Sequence, residues 1–272
     1  MLRFIDEYPS PDGGRLGRHI EHDPRSLAYA LSEDLLPTAY TSVVHTVRIP
    51  VLDQGDLGSC TGNAAEALAG ADPLYGAIPD TVAARPTGDA DADERQAVAL
   101  YSAASRLDGI QGQYPPTDTG STGLAVAKAA QQAGLISGYQ HALGLDQTLK
   151  ALSAAPVIVG VNWYEGFDTP DPAGRVGVAG SVRGGHEFLL HGLDTRTQTV
   201  LARNSWGTGW GAGGCFSFSF DDLGRLLAEQ GDATVFVPLT SPAPVPVPTP
   251  APTDVDHALA TAARTWLAAK GL

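Results

Sequence analysis

Apolar stretches alternate with glycine-rich turns along residues 45–238, and their spacing predicts both helices and strands. Alanine-rich segments that begin near a capping or acidic residue and end near a glycine are typical of helices. Such segments predict helices at residues 59–70, 93–107 and 121–133. Short runs rich in β-branched and aromatic residues indicate strands. These runs lie within residues 156–163, 186–193, 199–203, 215–220 and 234–237.

The predicted helices precede the predicted strands along the chain. This order favours an α+β fold in which a helical lobe packs against a β lobe, and the sequence contains no internal repeat. Residues 1–44 are polar and irregular, with one short predicted helix at 24–31. We interpret them as an extension that packs around the β lobe. The alternative is a short pro-segment that lies across a cleft.

The carboxyl-terminal part of the chain has a different character. Residues 239–254 alternate proline with small residues, which is typical of an extended, semi-rigid linker. Residues 255–272 follow with apolar side chains at helical spacing, and this pattern predicts a short amphipathic helix. Two interpretations are equally good: the helix folds back onto its own domain, or it docks onto a protein partner.

The composition is that of a folded protein, because 43% of the 272 residues are hydrophobic and only 17% are charged. The formal net charge of −13 would repel phosphate backbones, which disfavours a nucleic acid as partner. No stretch reaches roughly 18 consecutive apolar residues, so we expect no membrane-spanning helix.

The amino terminus turns acidic at Asp6 and Glu7 and contains no apolar core segment, so it does not resemble a secretory signal peptide. We therefore expect the protein to be cytoplasmic as translated. A chain from which a leader has already been removed would look the same. An exported or virion-associated form also fits the sequence.

Only two cysteines occur, too few for a disulfide scaffold in a chain of this length. Cys60 follows the glycine-containing segment DQGDLGS and stands at the start of a predicted helix. The positive end of a helix favours a thiolate, and its N–H groups can bind a developing oxyanion. Gln54, six residues earlier, could add a neutral side-chain donor. Cys215 lies in a predicted strand and is expected to be a small buried side chain.

A thiolate nucleophile needs a partner that accepts and later donates a proton, and His186 has the most suitable setting of the seven histidines. Two glycines precede it and an apolar strand follows, in RGGHEFLLHGLD. His191 lies at an odd offset on that strand and should point to the opposite face. Asn204 follows another strand, in ARNSWGTGWG. Its amide oxygen could accept the imidazole N–H, and Trp206 could shield that bond.

Three segments resemble the papain-like cysteine peptidases and occur in the order found in that family: QGDLGSC, GGH and NSWGTGWG. The last is the most specific. His186 and Asn204 follow Cys60 by 126 and 144 residues, near the family's spacing of about 130–150. The resemblance covers residues 45–238. It implies a divergent bacterial or phage-like member, with a helical lobe, a β-barrel-like lobe and the active-site cleft between them.

The resemblance also implies a role for each matching residue. Cys60 corresponds to the nucleophile, His186 to the general base and acid, and Asn204 to the residue that orients the histidine. Gln54 corresponds to the side chain of the oxyanion hole. Trp206 resembles the tryptophan that covers the histidine–asparagine pair and borders the leaving-group side.

Other positions are matched to substrate binding or depart from the family. The strand that pairs with the substrate backbone corresponds to Gly120, Ser121, Thr122 and Gly123. Leu57 replaces a disulfide cysteine, and Thr61 replaces the aromatic residue after the nucleophile. Glu187 stands where members have a small residue at the edge of the main specificity pocket. It could select a basic substrate side chain, or it could form a salt bridge with Arg183 or Arg203, the interpretation that we prefer slightly.

These residues predict a cysteine endopeptidase that hydrolyses a protein or peptide substrate through a thioester acyl-enzyme. The chemistry requires no metal or organic cofactor, and no Cys/His spacing suits a structural zinc. Two other functions stay open. One is a catalytically silent papain-fold component of an assembly, docked through the proline-rich tail. The other is a Cys/His amidase that acts on cell-wall peptides.

Overall fold

A computed structural model of the protein describes residues 2–3, 15–21 and 24–240. The predicted helix at 255–272, and all but the first two residues of the predicted linker at 239–254, lie outside this range. The amino-terminal extension is described in part. The fold below therefore concerns the central domain and the segments of the extension that contact it.

Four of the six α-helices within the described residues precede all but one strand of the large sheet. The six helices are α1 (Cys60–Ala69), α2 (Leu74–Ala77), α3 (Ala90–Ala104), α4 (Gly123–Gln132), α5 (Gly144–Ala154) and α6 (Phe220–Ala228). Helix α3 begins three residues earlier than predicted because the side chain of Asp89 accepts the N–H of Ala92 at 2.9 Å. Helix α4 is capped by Thr122, which accepts the N–H of Ala125 at 3.1 Å, rather than by Ser121 as predicted.

Strands form a two-stranded ribbon and one large antiparallel sheet. They are β1 (Leu2–Arg3), β2 (Ile20–Glu21), β3 (Val43–Val44), β4 (Gly138–His141), β5 (Val157–Tyr164), β6 (Val182–Asp194), β7 (Thr199–Arg203), β8 (Cys215–Ser219) and β9 (Asp232–Val237). The ribbon pairs β1 with β2. The sheet has the order β4-β9-β5-β6-β7-β8, and β3 pairs with the end of β6. Helices and an antiparallel sheet in one domain confirm the predicted α+β class.

Helices α5 and α6 were not expected from the sequence pattern. The predicted strand at 215–220 ends one residue early, because Ser219 caps a helix that begins at Phe220. Its hydroxyl accepts the N–H of Asp222 at 3.0 Å. Since α6 lies between β8 and β9, the predicted order of helices before strands holds only in part.

The sheet separates two apolar cores. On β5, Val157, Val159 and Val161 enter the core that also contains α5 and α6, whereas Ile158 enters the core beneath α1 and α4. This alternation is the period-two pattern of a strand that is buried on both faces. In the helical layer α1 packs closely on α3, since a side chain at Gly62 would come within 3.0 Å of the α3 backbone.

The described extension divides into two parts. Residues 24–44 pack against the sheet lobe as expected: Leu31 is buried in the core with α5 and α6, and Tyr40 packs edge-on against Phe220 at 5.8 Å. The short predicted helix at 24–31 is a 3-10 helix, Pro24–Tyr29. Residues 15–21 follow a different path and hydrogen-bond to strand β6 and to the residues before α4, as described below.

Candidate active site

Cys60 is the first residue of α1, and its side chain is buried. Ser59 occupies the N-cap position but does not cap the helix, because its hydroxyl donates to the Oδ1 of Asn63 at 2.8 Å. The first N–H groups of any α-helix have no helical carbonyl partner. The sulfur therefore lies at the positive end of the helix dipole, which favours a thiolate. Both cysteines are described, and neither forms a disulfide.

His186 lies on β6, the strand against which α1 packs. Its Nε2 lies 2.7 Å from the Oδ1 of Asn204. The same Oδ1 accepts the backbone N–H of Ser205 at 2.8 Å, and this second bond fixes the orientation of the amide. Nε2 is therefore the donor in the neutral ring. The proton-accepting Nδ1 is buried and has no hydrogen-bond partner among the described residues.

Two tryptophans enclose this histidine. The ring of Trp163 lies 4.7 Å from the imidazole in an edge-on arrangement, and the ring of Trp206 lies 4.9 Å away. Burial lowers the pKa of His186 to about 4, the hydrogen bond that the ring donates to Asn204 opposes this, and the charge of Arg183 adds to it. In the arrangement seen here the ring is therefore neutral at pH 7.

Gln54 is buried beside the turn that contains Asn204. Its Oε1 accepts the hydroxyl of Ser205 at 2.6 Å, and its Nε2 donates to the carbonyl of Leu57 at 2.7 Å. These two bonds fix the side-chain amide and leave one of its two N–H groups for another acceptor. The loop that precedes Cys60 is thereby attached to the turn that orients His186.

The segment Arg15–Glu21 lies across this region and makes backbone hydrogen bonds on two sides. The N–H groups of Gly17 and Arg18 donate to the carbonyl of Gly185 at 3.1 and 2.9 Å. On the other side, the N–H of Ser121 donates to the carbonyl of Gly17 at 2.9 Å, and the N–H of His19 donates to the carbonyl of Ser121 at 2.8 Å. The segment thus connects the residue before His186 with the predicted substrate-binding strand.

The four predicted backbone-binding residues have different contacts. Gly120 packs on the segment, because a side chain there would collide with the carbonyl of Gly17. Ser121 forms the bonds just described. Thr122 caps α4, and its hydroxyl also donates to Glu21 at 2.8 Å. Gly123 faces Glu187, since a side chain there would come within 2.7 Å of its Oε1.

The predicted salt bridge of Glu187 with Arg183 or Arg203 is wrong. Arg183 pairs with Asp168, and the guanidinium of Arg203 donates to the carbonyl of Ile49 at 2.6 Å. Both arginines have partners elsewhere because the side chain of Glu187 points to the α1 and α4 side of the sheet. There it is buried close to Asp232 and to Arg18 of the covering segment.

Arg18 and Asp232 are site residues that the sequence reasoning missed. The guanidinium of Arg18 is fully buried and pairs with Asp232, and it also donates to the carbonyl of Gln230 at 3.0 Å. No local pattern marks either residue. Arg18 lies in an irregular polar segment, and Asp232 is the first residue of a strand more than 200 positions later. Only the fold brings them together.

A cavity of about 470 Å³ borders the same carboxylate. Asp232, Gly123, Leu124 and Leu227 contribute to its wall, together with Glu21 and Leu27 of the extension. None of the four predicted catalytic residues lines it.

Cys215, the other cysteine, is only half-buried, although a buried side chain was expected. This partial burial raises the pKa of its thiol, which disfavours a reactive thiolate. No group of three His, Cys, Asp or Glu side chains is arranged to hold a metal ion within residues 15–21 and 24–240. Among the described helices, none is both long and apolar enough to cross a membrane.

Solved structures share this arrangement of helices and sheet. Xylellain, a cysteine protease from Xylella fastidiosa, is 17% identical, with a TM-score of 0.57 over 88% of this chain and 98% of that chain. The procathepsin B S9 of Trypanosoma congolense is 12% identical, with a TM-score of 0.52 over 87% of each chain. The chain has the papain-like fold. No protein-family model matches the sequence, and no curated protein is significantly similar to it.

Proposed function

We propose that the protein is a papain-like cysteine endopeptidase in which Cys60 is the nucleophile and His186 its base. The observation that carries this proposal is the hydrogen bond from the Nε2 of His186 to the Oδ1 of Asn204. That bond commits one ring nitrogen to an orienting residue and leaves Nδ1 for proton exchange with a nucleophile. The papain-like fold, with Cys60 at the start of a buried helix, supplies the nucleophile that such a base serves.

In the first half of the reaction, the Nδ1 of His186 takes the thiol proton and the sulfur attacks the carbonyl carbon of the substrate. The carbonyl oxygen becomes an oxyanion. The backbone N–H of Cys60 and the second Nε2–H of Gln54 are the proposed donors to it. His186 then gives its proton to the amine nitrogen, the C–N bond breaks, and a thioester on Cys60 stays behind.

In the second half, water replaces the departed amine. His186 removes a proton from the water as it attacks the thioester carbon, and the same oxyanion donors stabilise the second tetrahedral intermediate. The C–S bond breaks, the proton returns to the sulfur, and a carboxylic acid leaves. Trp163 and Trp206 keep the imidazole in a fixed plane throughout both halves.

The substrate backbone must use groups that the segment Arg15–Glu21 now occupies. The backbone groups of Ser121 and the carbonyl of Gly185 are suited to pair with an extended peptide, and residues 17–19 already pair with them. We therefore expect the segment to move aside before a substrate binds. In this role residues 15–21 are a short pro-segment.

Labelling by an epoxide inhibitor of thiol peptidases tests the proposal. The wild-type protein should gain one inhibitor mass, and peptide mapping should place it on Cys60. Cys60→Ser should gain none, whereas Cys215→Ser, the matched control, should label like the wild type. If Cys60 stays unlabelled even after residues 1–21 are removed by limited proteolysis, the protein is instead a silent papain-fold module.

A further inference from the structure

The side chain of Arg18 enters a pocket whose walls carry two carboxylates. A side chain at Gly160 would lie 2.6 Å from the Nε of Arg18, 2.7 Å from the Oε2 of Glu187 and 2.9 Å from the Oδ2 of Asp232. The glycine therefore leaves the space in which these three groups meet. Gly123 lines the same space, with the Oδ1 of Asp232 and the Oε1 of Glu187 each 2.7 Å from the position of an added side chain.

Two carboxyl groups share this pocket with a single cation. Glu187 and the guanidinium of Arg18 are completely buried, and Asp232 is largely buried. Neither oxygen of Glu187 has a hydrogen-bond donor among the described residues. Burial and the charge of Asp232 raise the pKa of Glu187 well above its usual value, and the charge of Arg18 opposes this. Anchoring Arg18 alone would require only one carboxyl group. The oxygens of Glu187 and Asp232 together provide hydrogen-bond acceptors on more than one side of a guanidinium.

The backbone of Arg18 is held where a substrate backbone is proposed to bind. Its N–H donates to the carbonyl of Gly185, the residue before His186, and its neighbours pair with Ser121. Glu187 is the residue after His186 on β6, and one strand residue spans about 3.3 Å. A side chain in this pocket therefore belongs to a peptide residue close to the proposed reacting bond.

We propose that Glu187 and Asp232 form a subsite for the guanidinium of an arginine side chain in the substrate, and that Arg18 of the chain itself occupies it. The inference rests on the proposed peptidase function. It narrows the substrate class to peptides with arginine near the cleaved bond. It also gives the covering segment a side-chain anchor besides its backbone bonds.

Two peptidyl acyloxymethyl ketones with the same thiol-reactive group test the subsite. One carries arginine at each of the three residues before the reactive group, and the other carries citrulline, which has the same shape and no charge, at the same three positions. The labelling rate of full-length Arg18→Ala is measured with each compound. Because an unpaired buried charge partner is costly, we expect the arginine compound to label about 30-fold faster or more. Arg18→Gln replaces Arg18→Ala if the smaller side chain prevents folding.

Variants of the pocket complete the test. In the Arg18→Ala background, Asp232→Asn and Glu187→Gln should each lower the arginine-to-citrulline ratio at least about fivefold. Glu229→Gln, a carboxylate variant outside the pocket, should leave the ratio unchanged. The wild-type protein should label more slowly than Arg18→Ala, because Arg18 competes for the pocket. Equal labelling by both compounds would overturn the arginine subsite and leave the nucleophile intact. No labelling by either compound, with residues 1–21 present and after their removal by limited proteolysis, would overturn the peptidase function and the subsite together.

Discussion

His186 and Glu187 are neighbours on β6, yet their side chains enter two different environments. His186 lies among aromatic rings and has one committed hydrogen-bond partner in Asn204. Glu187 lies on the opposite face with a second carboxylate and a cation from the distant amino-terminal segment. Burial favours the neutral form of both, so the pKa of the histidine falls and that of the glutamate rises. Two adjacent residues can thus serve chemistry and recognition separately, because a strand presents them to opposite sides.

Substitution of His186 should have the largest effect on catalysis. His186→Gln removes the proton acceptor, and we expect kcat/KM for a peptide substrate to fall about 10⁴-fold or more. His191→Gln, on the same strand, is the matched control and should change kcat/KM less than about twofold. Stopped-assay hydrolysis with both variants, together with circular dichroism to show that they fold, checks this. Comparable losses in the two variants would contradict the assignment of the base.

Loss of the proposed oxyanion donor, Gln54, should have the second-largest effect on catalysis. Gln54→Ala removes a transition-state hydrogen bond, and we expect kcat to fall about 10²–10³-fold with little change in KM. Because Gln54 also accepts from Ser205, Gln54→Glu is the companion variant that keeps this acceptor while losing the donor. Both variants should lose kcat. If Gln54→Glu retained wild-type kcat, the side chain would be structural rather than catalytic.

The contributions of His186 and Glu187 to folding stability should change with pH in opposite directions. His186 has a folded-state pKa of about 4 against 6.5 in the unfolded chain, so its contribution to stability is present above pH 6.5 and is lost as the pH falls towards 4. The loss is on the order of 3 kcal/mol. The raised pKa of Glu187 has the reverse effect, since its contribution is present below pH 4.5 and is lost as the pH rises.

Urea unfolding from pH 4 to pH 8 measures this contrast. Relative to the wild type, His186→Gln should reduce the loss of unfolding free energy as the pH falls towards 4. Glu187→Gln should instead reduce the loss of unfolding free energy as the pH rises towards neutral. The proposed contrast between His186 and Glu187 would be contradicted if both substitutions changed the pH dependence of the unfolding free energy in the same direction.

The smallest expected effect is on the rate at which Cys60 is labelled, and it depends on how firmly residues 15–21 are held beside Trp206 and His186. The indole N–H of Trp206 donates to the carbonyl of Arg15 at 3.1 Å. Trp206→Phe keeps a ring over His186 but loses this bond, so the segment should leave more easily. We expect epoxide labelling of Cys60 to become about fivefold faster, which corresponds to roughly 1 kcal/mol. Trp210→Phe loses a comparable bond, to the carbonyl of Asp168, away from the segment, and should label at the wild-type rate.

The residues around His186 can be predicted from the sequence because most of them lie in short, recognisable segments of the chain. The residues after β7 read NSWGTGWG, and Asn204 and Trp206 lie in that one turn beside His186. The start of α1 at Cys60 is also predicted to within one residue, since a glycine-rich turn precedes an alanine-rich run. Such features depend on backbone conformation over a few residues.

The glutamate face could not be predicted because it depends on packing between remote segments. Arg18 and Asp232 are separated by more than 200 positions, whereas the arginines near Glu187 in sequence, Arg183 and Arg203, have partners elsewhere. Helix α6 was missed for a related reason. Its first residue, Phe220, continues the aromatic pattern of β8, and only the cap at Ser219 shows where the strand ends.

Intact-mass analysis of a rapidly quenched reaction with a peptide ester tests the central claim most directly, because it detects the thioester itself. The wild-type protein should gain the mass of one acyl group within the first turnover. Tryptic mapping should place that mass on the peptide that follows Arg48 and contains Cys60, and His186→Gln should not accumulate it. Ester hydrolysis without any acylated protein, or an acyl group found on Cys215, would contradict the claim.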